Sequence, residues 1–314
     1  MSANRRAVVG VFIWLAVILA TAPNPQHEAW AHALLLLCAL VLVPLALELV
    51  VDEGESVGTV RLLRWVARAQ LPAASLLAWA CVLPAGGPAA LAALPWIAVC
   101  GLIAAAGWLR ATRRGVRRSL GRLCGDVALL FLGVGGAWAF ADRAGYRPLN
   151  FDPAIVALTA VHFHFAGLLL PLLAGLVVRF FPDSRFASRA AVGVVLGVPA
   201  VAVGITTTQL GWGPSFEAAA GCGLALAGMA VAILHVRLGT ERVGPWPVRA
   251  LFIVAGVSLF FGMTLAGLYA MRSIAAPLPW LGMPWMHALH GSVNAFGFGL
   301  GGLLAWTLAA ARRE

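Results

Sequence analysis

Four histidines lie within two of the most apolar stretches of the chain. His162 and His164 lie in AIVALTAVHFHFAGLLLPLLAGLVV, and His287 and His290 lie in MHALHGSVNAFGFGLGGLLAW. An ionisable side chain near the centre of a bilayer is unfavourable by about 3 kcal/mol on insertion scales, so such residues usually serve a site or a partner. Imidazole can ligate a metal or haem iron, relay protons or join helices by hydrogen bonds. The four histidines are therefore the first candidates for a functional site.

Helical spacing decides which of these side chains can share a face. His287, His290 and Asn294 are separated by three and four residues, so they form one stripe on an α-helix. His162 and His164 are two residues apart, which places them about 200° apart around a helix. At most three of the four histidines are expected to face one site directly.

Further polar groups are expected at the same depth. The predicted metal ligands, all histidines, are His162, His164, His287, His290 and His32. The candidate catalytic residues are His162, His164, Asn294 and Tyr269. A single tyrosine at a helix end is also typical of an interfacial anchor. Together these residues predict a polar pocket that opens to the outer side of the membrane.

The composition is that of a membrane protein with many helical spans. Hydrophobic residues make up 61% of the 314 residues, charged residues 11%, and the mean hydropathy is +0.92. Soluble domains carry about 25% charged residues. We therefore expect an all-α, polytopic integral membrane helix bundle in the cytoplasmic (inner) membrane of a bacterium. Its principal partner is expected to be the lipid bilayer.

Ten apolar stretches are long enough to cross a bilayer, which takes about 20 helical residues. They are 6–22, 29–51, 70–88, 89–109, 121–142, 153–179, 190–210, 217–237, 248–271 and 284–310. All 22 basic residues are arginine, and with both termini inside, 19 of them fall on the cytoplasmic side. The exceptions are Arg143, Arg147 and Arg272. This bias predicts ten transmembrane helices with both termini inside, and it explains the net charge of +10 without nucleic acid.

The whole chain, 1–314, is expected to be a single transmembrane domain without a soluble domain. Residues 52–69 alternate arginines with apolar residues, which indicates an amphipathic interfacial helix or an ordinary connecting helix. Residues 1–22 have the shape of a signal peptide, and an uncleaved first helix is the favoured interpretation.

Two segments resemble the YndJ-like family of bacterial membrane proteins. They are VHFHFAGLLLP at 161–171 and HGSVNAFGFGLGGLLAW at 290–306. The matching positions are His162, His164, Gly167, Pro171, His290, Gly291, Asn294, Ala295, Gly297 and Phe298. The resemblance implies a polytopic bacterial membrane protein and names no reaction.

Three functions remain open from the sequence. The first is a membrane-embedded enzyme or redox protein whose histidines hold a metal ion or haem and act on an apolar lipid, isoprenoid or quinone-like small molecule. The second is a transporter or proton-coupled carrier, for which no internal repeat is visible. The third is a non-catalytic scaffold or sensor with structural histidines. The cofactor and the protein partners are not specified by the residues.

Overall fold

The computed structural model describes residues 1–21, 27–51, 55–114, 119–241 and 243–311, and the described part of the chain is almost entirely helical. The α-helices are α1 (Ala3–Thr21), α2 (His27–Leu37), α3 (Val43–Val50), α4 (Val57–Val82), α5 (Gly87–Arg114), α6 (Leu120–Ala144), α7 (Pro153–His162), α8 (Leu170–Phe180), α9 (Arg185–Gln209), α10 (Ser215–Thr240), α11 (Trp246–Ala270), α12 (Met283–Trp285) and α13 (Gly301–Ala310). Within these described ranges, four π-helical segments interrupt the spans: π1 (Cys38–Leu42), π2 (Phe163–Leu169), π3 (Met286–Gly291) and π4 (Val293–Leu300).

These helices have the length and composition of membrane spans. Nine helical segments within the described residues are long and apolar enough to cross a bilayer. α4 is a further long helix outside that group, and its first half carries three arginines. Exposed tryptophans lie near helix ends, among them Trp212 after α9 and Trp246 at the start of α11. Tryptophan is enriched at membrane interfaces. The helices, their apolar spans and these tryptophans together are those of an all-α, polytopic integral membrane protein.

The predicted spans agree with the helices, with one difference in the third. α4 continues without a break from Val57 to Val82, so the amphipathic segment predicted at 52–69 and the span predicted at 70–88 share one helix. Ser56 caps its start, because the Ser56 side chain accepts a hydrogen bond from the Thr59 amide. Residues 52–54 of the amphipathic segment lie outside the described residues, as does Ala22 at the end of the predicted signal sequence.

The described contacts divide the chain into two compact units. Unit 1 comprises Met1–Arg118 and Gly125–Leu169, and unit 2 comprises Ser119–Cys124 and Leu170–Glu314. The single transmembrane domain expected over 1–314 stays a prediction.

One end of unit 1 is held by a buried ion pair. The Arg110 side chain donates to Asp126 at 2.7 Å, and both side chains are almost completely buried. Arg110 also lies 3.0 Å from a carboxylate oxygen of Glu55 and donates to the Val50 carbonyl at 2.9 Å. Arg6 on α1 donates to the Ala67 carbonyl of α4. The arginine-bearing ends of α1, α4 and α5 therefore meet at one end of unit 1, as the arginine bias predicts.

A proline follows each described π segment of unit 1 within two residues. Pro44 comes after π1 and Pro171 after π2, and a proline removes an N–H donor and clashes with the carbonyl four residues earlier, which disturbs a regular α-helix. Nearby side chains satisfy carbonyls of these segments. Gln70 donates to the Ala39 carbonyl of π1 at 2.6 Å, and the Cys38 thiol donates to the His164 carbonyl of π2 at 3.3 Å. A freed carbonyl within a membrane needs such a partner.

Unit 2 packs its helices through small residues. A Cβ at Gly256 of α11 would lie 2.6 Å from the Ala232 carbonyl oxygen of α10, so this close approach requires glycine. At the other end of these helices, Arg272 pairs with Glu217 at 2.7 Å. This packing brings α11 against the π segments of the last span and positions the site described next.

Candidate functional site

His290 and Asn294 lie together on the last span, against α11. The Nδ1 atom of His290 lies 2.8 Å from the Gly262 carbonyl oxygen, so Nδ1–H donates to it. The Asn294 amide nitrogen lies 3.3 Å from the same Nδ1 atom. A Cβ at Gly262 would lie 2.6 Å from the Asn294 amide carbon. The contact between imidazole and amide therefore depends on a glycine in α11.

His287 lies one turn before His290 and belongs to π3. It is half-buried, and the Ser292 hydroxyl donates to its backbone carbonyl at 3.4 Å. The structure places His287, His290 and Asn294 in unit 2. The direct contact between His290 and Asn294 agrees with the stripe predicted from their spacing.

His164 is completely buried in unit 1, where both ring nitrogens have partners. Its Nδ1 atom lies 2.8 Å from the Ala160 carbonyl oxygen, and the Trp96 indole N–H donates to Nε2 at 3.2 Å. The two rings stack with centroids 5.9 Å apart. A Cβ at Gly135 would lie 2.8 Å from Nδ1. This arrangement holds a neutral imidazole with the proton on Nδ1, so a metal on His164 would have to displace the indole.

His162 has a different environment two residues earlier. Its side chain is exposed, and Nδ1 lies 2.8 Å from the Leu158 carbonyl oxygen of its own helix. The sequence predicted that His162 and His164 face different directions, and their surroundings differ accordingly.

The remaining predicted site residues lie near helix ends. His32 at the start of the second span lies 2.9 Å from a carboxylate oxygen of Asp142, which also accepts from Arg143 at 2.7 Å. Tyr269 donates to the Met283 sulfur at 3.8 Å, and the Arg272 guanidinium lies 4.4 Å from the centroid of its ring. Both contacts of Tyr269 suit an anchor at a helix end.

His235 is not among the site residues predicted from the sequence, and it repeats the arrangement of His164 within unit 2. Its Nδ1 atom lies 2.9 Å from the Val231 carbonyl oxygen, and the Trp306 indole N–H lies 3.4 Å from Nε2. Phe252 and Phe298 surround the ring, with centroids 6.3 and 5.5 Å away. The available sequence signal was a histidine in an apolar span, but its tryptophan partner lies 71 residues away.

The described histidines do not gather into a metal centre of three or more ligands. No group of three His, Cys, Asp or Glu side chains with that geometry occurs among the described residues. His32, His162 and His164 belong to unit 1, and His287 and His290 belong to unit 2. A joint site of these residues stays a prediction.

Comparison with known proteins assigns the family. The model of the YndJ-like protein family matches residues 33–298. The chain belongs to this family. It is also similar to a Bacillus subtilis (strain 168) protein named "Uncharacterized membrane protein YndJ", with 30% identity over 190 residues. This match covers 59% of the chain and 32% of the relative, so the chain matches about a third of the relative's length. No solved structure matches the chain.

The two motifs that carry the YndJ-like resemblance coincide with π-helical segments. His164 and Gly167 lie in π2, while Asn294, Gly297 and Phe298 lie in π4. Pro171 follows π2. Gly297 lies so close to Ser258 of α11 that a Cβ at position 297 would overlap the Ser258 side chain. π turns are rare and frequently occur at functional sites. In this YndJ-like chain, the motif residues therefore shape the backbone as well as the side chains.

Gly262→Ala should disrupt the His290–Asn294 contact, because the added methyl group would overlap the Asn294 amide. We expect a loss of about 1–3 kcal/mol in the free energy of unfolding, since overpacking of this size forces a helix shift. The matched control is Gly267→Ala on the same helix, where the nearest atom would lie 3.3 Å away. Thermal unfolding of the purified protein in detergent measures both, and equal midpoints for the two variants would contradict the packing argument.

Proposed function

We propose that this YndJ-like protein of the bacterial cytoplasmic membrane binds an apolar small molecule with a hydrogen-bonding head group, such as a quinone or isoprenoid alcohol, at His290 and Asn294. One observation carries the proposal. The Oδ1 atom of Asn294 is buried and accepts no hydrogen bond among the described residues. An unsatisfied buried amide oxygen is unfavourable by about 1–3 kcal/mol, so a ligand that donates to it would gain affinity.

The orientation of the Asn294 amide does not remove this opportunity. His290 Nδ1–H donates to the Gly262 carbonyl, so Nδ1 is not an acceptor for the Asn294 amide nitrogen. If the amide oxygen and nitrogen were exchanged, Oδ1 would face the His290 Nδ1–H, and the amide N–H groups would occupy the place where Oδ1 now lies. One end of the amide is therefore without a hydrogen-bond partner among the described residues in either orientation.

The neighbouring imidazole supports acid–base chemistry on such a ligand. With its proton on Nδ1, His290 carries its lone pair on Nε2, the atom that would take a proton from a hydroxyl group or return one to a carbonyl oxygen. Gly262 fixes the ring through its carbonyl, and Asn294 would hold the head group. The proposal is therefore an enzyme or redox-coupled protein that transfers protons at the head group of a lipid-like substrate.

A metal ion held by three or more side chains would need a further donor. His290 and His287 lie one turn apart, and no group of three possible ligands occurs among the described residues. The proposed proton transfer uses only His290 and Asn294.

A second function, a non-catalytic scaffold or sensor, is favoured by a separate observation. His164 and His235 each engage both ring nitrogens through a backbone carbonyl and a tryptophan indole. These two histidines act as hydrogen-bonded connections between helices within their own units, which is the role that the scaffold hypothesis assigns to them.

The binding proposal is tested with the full-length protein in neutral-lipid nanodiscs. Decylubiquinone and farnesol serve as probes, and tryptophan fluorescence follows binding. Asn294→Leu keeps the side-chain size and removes the amide, so we expect its Kd for the bound probe to rise about tenfold or more. Thr264→Val is the matched control, since the Thr264 hydroxyl bonds only the Phe260 carbonyl of its own helix.

Saturable binding that is weakened by Asn294→Leu and unchanged by Thr264→Val would support the proposal. Non-saturable quenching by both probes, or the same Kd in wild type and Asn294→Leu, would refute it. An optical spectrum and a metal analysis of the same samples test the alternative: a stoichiometric metal or haem that is lost in His290→Ala would establish the metal-bearing site instead.

A further inference from the structure

The first half of α4 presents a row of exposed arginines. Arg61, Arg64 and Arg68 are spaced by three and four residues, so they lie on one face of the helix. Together with Trp65, whose side chain is 57% exposed, they line an open depression of about 200 Å³. We call these four residues the α4 arginine face.

The charges of this face are not neutralised within the described protein. No carboxylate of the described residues pairs with any of the three arginines, and the Arg68 guanidinium lies 5.5 Å from the centroid of the Trp65 ring. Arg110 at the same end of unit 1 is different, since it is buried against Asp126 and Glu55. Three adjacent guanidinium groups thus face outward without a carboxylate partner among the described residues, and an external anion would find them accessible.

The position of the face indicates which anion is available. Arg6 of α1 donates to the Ala67 carbonyl, so the start of α1 lies beside the α4 arginine face. The arginine bias of the sequence predicts that this end faces the cytoplasm. The inner leaflet carries anionic lipid, and its surface potential attracts arginines close to a membrane span. An exposed tryptophan beside the arginines suits the same depth, at the level of the lipid head groups.

We propose that the α4 arginine face is a binding site for the phosphodiester head group of an anionic phospholipid in the cytoplasmic leaflet. The planar guanidinium groups match the paired oxygens of a phosphate, and Trp65 would pack against the glycerol backbone or the first carbons of the acyl chains. The site is separate from His290 and Asn294, which lie in the other unit. The proposal therefore does not depend on the proposed function.

Native mass spectrometry of the full-length protein in detergent tests this site. Phosphatidylglycerol and phosphatidylcholine are added at equal concentrations, and the bound lipid is counted for each. The triple variant Arg61→Gln, Arg64→Gln, Arg68→Gln removes the face. The control triple Arg122→Gln, Arg185→Gln, Arg189→Gln removes the same charge from three exposed arginines elsewhere on the predicted cytoplasmic side.

In the wild type we expect phosphatidylglycerol adducts to exceed phosphatidylcholine adducts. We expect the apparent affinity for phosphatidylglycerol to fall about tenfold or more in the α4 variant and to change less than about twofold in the control. Equal losses in the two variants would show a general charge effect and overturn the site. Equal binding of the two lipids by the wild type would overturn it without any variant, and so would complete competition by millimolar inorganic phosphate.

Discussion

Asp126→Leu is expected to lower the free energy of unfolding by about 2–4 kcal/mol, because the buried Arg110 guanidinium loses the carboxylate of its shortest ion pair and keeps Glu55 at 3.0 Å. Arg110 and Asp126 are 2% and 0% exposed, and they join α5 to α6 at 2.7 Å. Unfolding of the detergent-purified protein by heat or by SDS titration measures the loss.

The matched control for this result is an exposed pair. Arg237 and Glu241 form an ion pair within one turn, and both side chains reach solvent. We expect Glu241→Ala to change stability by less than about 1 kcal/mol. An Asp126→Leu protein as stable as Glu241→Ala would disprove the assigned role of the buried pair.

Replacing His164 by alanine is expected to be the second large effect, at about 2–4 kcal/mol. The change creates a cavity and leaves the buried Trp96 indole N–H without its acceptor. His162→Ala, two residues away, removes an exposed ring that lies 2.8 Å from the Leu158 carbonyl of its own helix, so we expect less than about 1 kcal/mol. Unfolding midpoints of the two variants in the same detergent give the comparison.

His164→Phe separates packing from hydrogen bonding in this result. A phenyl ring fills the space of the imidazole but offers no acceptor to Trp96, so an intermediate loss of about 1–3 kcal/mol is expected. If His164→Ala and His162→Ala unfold together, the bond between Trp96 and His164 does not stabilise unit 1.

The sequence predicted the spans well because bilayer thickness and hydropathy act locally along the chain. The apolar stretch predicted at 121–142, for example, is α6, Leu120–Ala144. Spacing also predicted that His290 and Asn294 share a face, and their side chains meet at 3.3 Å. In both cases the residues that matter are close together in the sequence, so hydropathy and spacing along the chain are enough to predict the result.

The partners of the buried histidines could not be predicted in the same way. Trp96 lies 68 residues from His164, and neither the length nor the hydropathy of a span records which indole meets which imidazole. Gly262 is likewise one of many glycines in the chain, and only the packing of α11 shows that the Gly262 carbonyl accepts a hydrogen bond from His290. Such choices depend on helix rotation, which is determined by packing between spans.

The π segments have a further consequence for how this family can change over time. A π turn holds one residue more than the α-helical turn that it replaces, so a span with such a turn can lose a residue and close into a regular α-helix. The remainder of the span would then rotate by about 100° relative to its neighbours. In π2 that rotation would carry His164 away from Trp96, and in π4 it would carry Asn294 away from Gly262. Single-residue deletions there should therefore preserve membrane insertion while they remove the Trp96–His164 hydrogen bond and the packing of Asn294 against Gly262.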